Sequence, residues 1–271
     1  MSLIEEAKLL LRRYRIYPKK RLGQHFMVEP SIFQLIANYA QLSKNDVVLD
    51  IGAGLGFLTR FLAEKCGRVL AVELDNSLVR VLREQLKGLP NALIIEGDVL
   101  KISLPDFNKV VSIPPYGISS ALIQWLFSKK PECTVLVFQK EFAKRLVAPI
   151  GSEDYGWLTV MAYYHFDVEL LDDVPKSFFH PQPEIDSIIV QLKPKPPPFR
   201  VKDEVFFAKF VQALFTQRNR KVRNAIQPFL RRERAVSKAT AKTADSIPFH
   251  DRRVRELAPE DFGEIANALT N

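Results

Sequence analysis

Between residues 30 and 140, short runs of β-branched and apolar residues alternate with longer stretches of helical period. Val47-Val48-Leu49-Asp50-Ile51 reads as a buried strand, and Leu58 to Lys65, behind a cluster of glycines, reads as a helix. Val69 to Glu73 predicts the next strand, and Leu78, Val81, Leu82 and Leu86 mark the apolar face of a following helix. Leu93 to Glu96, Lys109 to Ser112 and Thr134 to Phe138 supply three more strands. Strands alternating with helices imply an α/β fold with a mostly parallel sheet covered on both faces.

Farther on, Asp167 to Leu171 and Ser187 to Leu192 predict a pair of closing strands. The run Lys193-Pro194-Lys195-Pro196-Pro197-Pro198 is dense enough in proline to form a stiff linker. Beyond it, Phe206 to Phe215, Val222 to Phe229 and Phe262 to Leu269 have helical period. The pattern divides the chain into a main domain, 1–193, and a small helical domain, 194–271, with no internal repeat.

Charge sharpens that division. The chain of 271 residues carries 39 Lys+Arg against 31 Asp+Glu, but residues 194–271 hold 16 basic and 9 acidic side chains, which is +7 of the total +8. A second basic cluster, Lys8, Arg12, Arg13, Arg15, Lys19, Lys20 and Arg21, crowds the first 21 positions. Two basic ends around a near-neutral body point to a polyanionic partner. Cys66 and Cys133 are the only cysteines, so neither a disulfide framework nor a cysteine-rich zinc site is expected. The first residues place acids before their apolar stretch and offer no small-residue cleavage site, and no run reaches the ~18 apolar residues of a membrane span. A soluble, cytoplasmic protein without a membrane or metal partner is expected.

Candidate chemistry begins at Asp50-Ile51-Gly52-Ala53-Gly54-Leu55-Gly56, which follows a strand and opens a helix. The dinucleotide fingerprint requires glycine at position 57, where this chain has Phe57. S-adenosylmethionine carries no phosphate, and its ribose diol calls for a carboxylate at the end of the second strand, where Glu73 stands beside Leu74. Its adenine amine calls for an acceptor at the end of the third, where Asp98 and Val99 follow Gly97. Three such sites at successive strand ends lie along the carboxyl edge of the sheet, the edge at which open α/β sheets bind ligands.

These residues, with three further segments, resemble the ribosomal RNA adenine dimethyltransferases over nearly the whole chain. Arg21-Leu22-Gly23-Gln24-His25-Phe26-Met27 is similar to a family segment whose Gln, His and following backbone line the methionine end of the cofactor. Phe179-His180-Pro181-Gln182-Pro183-Glu184-Ile185-Asp186-Ser187 looks like the family's F-x-P-x-P-x-V-D-S, read here as a rigid turn without a catalytic role. Thr216 to Asn224 resembles the basic helix of its small domain. The resemblance implies a Rossmann-like sheet that binds S-adenosylmethionine through Gln24, His25, Met27, Gly52, Gly54, Gly56, Glu73, Leu74, Asp98, Val99 and Ile113. It also implies dimethylation at N6 of two adjacent adenosines near the 3′ end of small-subunit ribosomal RNA, during ribosome assembly, by a monomer acting on a pre-assembled subunit.

The catalytic motif departs from the family. At the end of the fourth strand the family has N-[LI]-P-[YF], whose Asn oxygen and following carbonyl accept the N6 protons while the aromatic stacks on the base. This chain reads Ser112-Ile113-Pro114-Pro115-Tyr116. An isoleucine side chain accepts nothing, so the acceptors become the carbonyls of Ile113 and Pro114 with the Ser112 hydroxyl, and Tyr116 is the stacking residue. A slowed or single methylation, or an RNA-binding assembly factor without catalysis, stays open on the sequence alone, as does a large-subunit adenine methyltransferase. A DNA adenine methyltransferase has no room for its recognition insertion. For RNA, Arg218, Arg220, Lys221, Arg223 and Arg231 are the expected contacts, with 220, 223 and 231 compatible with one helical face.

Overall fold

The computed structural model describes residues 1–19, 23–234 and 244–270. Lys20, Arg21 and Leu22 of the predicted N-terminal segments lie outside the described residues. The chain opens with α1 (Leu3–Arg13), β1 (Phe26–Met27) and α2 (Pro30–Tyr39). It continues through β2 (Val47–Ile51), α3 (Phe57–Lys65), β3 (Arg68–Glu73), α4 (Asn76–Gln85), β4 (Ala92–Glu96), β5 (Lys109–Ser112), α5 (Ser119–Lys129), β6 (Cys133–Gln139) and α6 (Lys140–Lys144). After α7 (Trp157–His165) come β7 (Phe166–Val174), β8 (Phe179–His180) and β9 (Ser187–Pro194). Four helices follow: α8 (Glu204–Phe215), α9 (Val222–Ala225), α10 (Gln227–Arg234) and α11 (Pro259–Leu269).

Seven strands form one sheet in the order β4-β3-β2-β5-β6-β9-β7, and β1 pairs with β8 in a separate ribbon. Strands β4, β3, β2, β5 and β6 run parallel, and β9 returns antiparallel to β6. Val48, Leu49, Leu70, Ala71, Val110, Val111 and Val135 to Phe138 are wholly buried. Strands buried on both faces need no polar alternation, which is why their sequence reads as continuous apolar runs. From β2 the chain winds outward through β3 to β4, then crosses back to β5 on the other side of β2. Where the winding reverses, the carboxyl ends of β2 and β5 part and leave a crevice.

Two compact units result, Met1–Ala143 with Val168–Pro194 and Lys144–Asp167 with Lys195–Asn271. This corrects the assignment of 144–167 to the first domain. The apolar face of α7, with Leu158, Met161 and Tyr164 buried, packs against α8 and α11, and the Tyr164 ring lies 5.2 Å from that of Phe207. The second unit gathers Phe207, Phe210, Leu214, Phe262 and Ile265 around that contact. Its predicted helix over Val222 to Phe229 is two helices, because Pro228 has no amide hydrogen to continue the ladder from α9 into α10. No described helix is long and apolar enough to cross a membrane.

Helix α1 has no counterpart in the sequence reading. Its Ser2 and Glu5 form a reciprocal capping box, and Ala7, Leu10 and Leu11 are buried. Arg13 reaches Glu84 at 2.7 Å and Arg60 reaches Glu6 at 3.0 Å, so the helix is tied to α3 and α4.

At the amino-terminal edge of the sheet, opposite the crevice, Asp46 joins β2 to β5. Its carboxylate accepts from Lys109 Nζ at 3.0 Å, Asn108 Nδ2 at 2.8 Å and the Ser43 amide at 2.6 Å. Burial raises the carboxyl, but the bonds from Asn108, Ser43 and Lys109 outweigh it and hold the group below its ordinary range. A depressed carboxyl gives stability that is present above the unfolded pKa and lost as pH falls through the folded one. Asp46→Ala leaves Lys109 only the Gln41 carbonyl and is expected to cost about 1–3 kcal/mol, measured by urea unfolding near neutral pH, with the difference from the parent shrinking in acid.

Candidate functional site

A cavity of about 230 Å³ fills the crevice in the first unit. The loops after β2, β3, β4 and β5 wall it, together with Gly23 to Phe26 from the amino-terminal segment. Of the residues singled out in the sequence, Gln24, His25, Gly52, Gly54, Glu73, Leu74, Asp98, Val99 and Ile113 to Tyr116 all line it.

The loop after β2 starts at Gly52, whose φ of +72° places it in the left-handed region. A Cβ there would lie 2.6 Å from Pro115 Cδ, so the glycine lets the turn after β5 close over the crevice. The Gly52 and Ala53 amides donate to the Val72 carbonyl at 2.8 and 3.1 Å, tying this loop to the end of β3. Glu73, 7% exposed, accepts from the Gly54 amide at 2.9 Å and the Asp75 amide at 2.8 Å. Burial raises its pKa in spite of those amides. A carboxylate clamped between two loops and facing a cavity is a fixed acceptor for a diol. Asp98, one strand farther, accepts from the Leu100 amide at 3.1 Å and pairs with Lys101 at 3.1 Å. Half-exposed Leu74 and buried Val99 add apolar walls between the two acids.

Two predicted cofactor residues stand elsewhere. Gly56 does not line the cavity; it caps α3 with φ +84°, and a Cβ would meet Leu82 Cδ2 at 3.0 Å, so its glycine serves helix packing. Met27 is buried in β1 and borders a smaller neighbouring hollow with Asp50 and Phe33.

Gln24 acts through Asp75, which the sequence reading passed over. Its Nε2 donates to Asp75 Oδ2 at 3.0 Å, and the same oxygen accepts from Lys19 Nζ at 2.7 Å. Asp75 also caps α4 through the Ser77 amide at 3.0 Å. Burial raises this carboxyl, and the Lys19, Ser77 and Gln24 bonds together bring it below its usual range. An Asp directly ahead of a helix is the sequence signal that marks such a cap.

After β5, Ile113 and Pro114 lead into a turn at Tyr116–Ile118. Ser112 is corrected here: its hydroxyl donates to the Ile51 carbonyl at 2.7 Å and accepts from the Ile51 amide at 3.0 Å, wholly buried between β2 and β5. A hydroxyl so engaged, and off the cavity wall, is a strut of the sheet. Ile113 does reach the cavity, with an apolar side chain. The Tyr116 ring lies roughly parallel to that of His25, centroids 6.1 Å apart and planes 25° apart. Phe179 meets Tyr116 edge-on at 6.3 Å. His25 Nδ1 donates to the Pro181 carbonyl at 2.7 Å, and the Tyr116 hydroxyl lies 2.6 Å from Ser187 Oγ. Segment 179–187 therefore touches both rings, which nothing in the spacing announces, since Ser187 is 71 residues from Tyr116.

The proposed RNA contacts lie in the second unit and do not form one stripe. Arg218 donates to the carbonyls of Glu153 and Ser152, the latter at 2.6 Å, and braces that unit. Lys221 and Arg223 pair with Asp251 at 3.1 and 3.2 Å. Arg220 lies in the turn before α9, Arg223 on α9 and Arg231 on α10, beyond the break at Ile226, so the three stand on different elements. Arg220 and Arg231 are exposed and make no ion pair among the described residues.

Residues 17–270 match the family described as ribosomal RNA adenine dimethylase. A relative from Methanosarcina acetivorans, named a probable ribosomal RNA small subunit methyltransferase A, is 43% identical over 266 residues, covering 97% of each chain. The structure is similar to a dimethyladenosine transferase from Plasmodium falciparum, with TM-score 0.76 and 27% identity over 89% of this chain and 96% of that one. The 23S rRNA methyltransferase ErmE aligns at TM-score 0.63 and 28% identity over 91% of this chain and 100% of that one.

Under the crevice, Asp50 is 1% exposed and accepts from Thr59 Oγ1 at 2.7 Å. Burial pushes its carboxyl up to about 7. A raised carboxyl contributes stability below its unfolded pKa that disappears as pH rises through the folded one. Unfolding free energy should therefore fall between about pH 4 and about pH 7. Asp50→Asn is expected to flatten that fall, measured by denaturant titration across the window.

Proposed function

Because this chain belongs to the ribosomal RNA adenine dimethylase family, we propose that it methylates N6 of two adjacent adenosines near the 3′ end of small-subunit ribosomal RNA, using S-adenosylmethionine, as a cytoplasmic step of ribosome assembly. The observation that carries this reading is the meeting in one cavity of Glu73, Asp98 and the Ile113 to Tyr116 turn. The residues fit an adenosine-bearing cofactor: Glu73 would accept from the ribose diol and Asp98 from the adenine amine, with Leu74 and Val99 as the apolar lining between them. When bound, the cofactor supplies a methyl group on a sulfonium.

The chain's own part is to present the amine. An adenine N6 is a poor nucleophile because its lone pair is delocalised into the ring, and accepting hydrogen bonds from both N–H groups favours a more tetrahedral nitrogen. With Ser112 committed to Ile51, that task falls to the carbonyls of Ile113 and Pro114. Pro114 and Pro115 carry no amide hydrogens, so the turn offers acceptors without competing donors. Tyr116 stacks on the extruded base, and the apolar Ile113 keeps water from the transfer path.

Incubated with radiolabelled S-adenosylmethionine and immature small subunits, the parent is expected to transfer label to two adenosines, and Tyr116→Ala to lose most of it. Restoring the family's side-chain acceptor with Ile113→Asn should raise the rate, by at most the ~10²–10³ attributed to one such polar contact. No transfer by the parent, with transfer by Ile113→Asn, would instead identify an assembly factor that has lost catalysis.

Contacts to phosphates from the second unit fix register without reading bases, so recognition rests on RNA shape in a pre-assembled subunit bound by a monomer. Arg220→Glu with Arg231→Glu should weaken subunit binding and lower its salt slope by roughly one per lost phosphate contact, leaving cofactor affinity unchanged by calorimetry.

A further inference from the structure

We propose that Ser187 is a positioning residue for methyl transfer: from the first position of β9 it holds the Tyr116 ring at the angle the target base must meet. This rests on the reading of Tyr116 as the stacking residue. Tyr116 sits in a short turn after two prolines, outside any strand. A ring carried by such a turn is free to swing about its Cα–Cβ and Cβ–Cγ bonds unless its far end is held. The far end is held: the hydroxyl lies 2.6 Å from Ser187 Oγ. Ser187 is wholly buried and stands opposite Gln139 in the antiparallel ladder between β9 and β6, so its own position is set by the sheet. The hydrogen bond thus transfers the rigidity of the sheet to the tip of an aromatic ring in a loop.

The same segment reinforces the arrangement. Phe179 meets the Tyr116 ring edge-on at 6.3 Å, and the Pro181 carbonyl holds His25, whose ring runs nearly parallel to that of Tyr116. β8 is anchored in turn by pairing Phe179 with Met27 and His180 with Phe26 of β1. Burial pushes the Tyr116 phenol up to about 12, so it stays protonated through the working range and keeps a proton available for Ser187. A pre-set ring matters because stacking that must first be ordered forfeits part of its contribution in the transition state.

Ser187→Ala and Tyr116→Phe remove the same bond from opposite ends while leaving the aromatic face intact. Each is expected to lower turnover by about threefold to tenfold, the range of one net hydrogen bond, with the KM for S-adenosylmethionine unchanged. The double variant should fall no further than either single one. A merely structural Ser187 would lower thermal stability and raise the cofactor KM without this coupling. Full turnover in either single variant, or additive losses in the double, overturns the proposal; if Ser187→Ala does not fold, Tyr116→Phe alone decides it. A parent that transfers no methyl would defeat the enzymatic reading separately. Ring placement is then read from quenching of 2-aminopurine riboside by the full chain loaded with S-adenosylhomocysteine. Quenching by the parent that weakens in Ser187→Ala supports the proposal, and quenching that is absent or unchanged overturns it.

Discussion

Pro115 occupies the place where a side chain on Gly52 would stand. The 2.6 Å between a Cβ built at Gly52 and Pro115 Cδ means that the loops leaving β2 and β5 close on each other to within the width of a single methyl group. Everything at the site depends on that approach. It brings the cofactor-facing loop and the turn that carries Ile113 and Tyr116 to the same cavity, although the two are some sixty residues apart in the chain. A hydrogen-bonded strut beneath it, Ser112 to Ile51, fixes how far β2 and β5 can part. The glycine at 52 and the buried hydroxyl at 112 thus do related work from opposite sides of the strand ends.

Much of this is legible in the sequence. Continuous apolar runs name the four central parallel strands because they are buried on both faces, edge strand β4 keeps an apolar run while partly exposed, and Gly52, Glu73 and Asp98 recur at successive strand ends as a doubly wound sheet requires. What was not legible is whatever depends on tertiary partners. Helix α1 is the exception, since Ser2 and Glu5 spell a capping box and Ala7, Leu10 and Leu11 keep helical spacing; only its ties to α3 and α4 through Glu6 and Arg13 needed the tertiary structure. Ser112 reads as a candidate acceptor beside Ile113, and only the strand pairing shows it buried off the cavity wall, donating to and accepting from Ile51. Gly56 belongs to a glycine pattern, yet its reason lies in Leu82 on the next helix. The three basic positions fall on different elements for local causes: Arg220 precedes the first turn of α9, and the helical ladder breaks at Ile226, ahead of Pro228.

The carboxylates of the first unit show one residue type put to several uses by its surroundings. Asp46 is stabilised as an ion by an ammonium and two amide groups, and it fastens the amino-terminal edge of the sheet. Asp75 is held ionised by Lys19, Ser77 and Gln24, and so joins the amino-terminal segment to the helix behind Glu73. Asp50 and Glu73 are pushed the other way by burial, close to the cavity. Burial penalises all four, and the partners decide the outcome: Asp46 and Asp75 have cations and amides enough to outweigh it, whereas Asp50 and Glu73, near the cavity, do not.

The path of the chain has a consequence for modularity. It passes between the two units three times, after residues 143, 167 and 194, and only the last passage falls at the proline-rich stretch. Cutting at that stretch would not release a catalytic half: it would leave α7 attached, with Leu158, Met161 and Tyr164 stripped of α8 and α11. The two units cannot be exchanged as cassettes between relatives by a single crossover. A recombination that keeps both cores intact needs junctions at all three passages, so these units are bound to be inherited together.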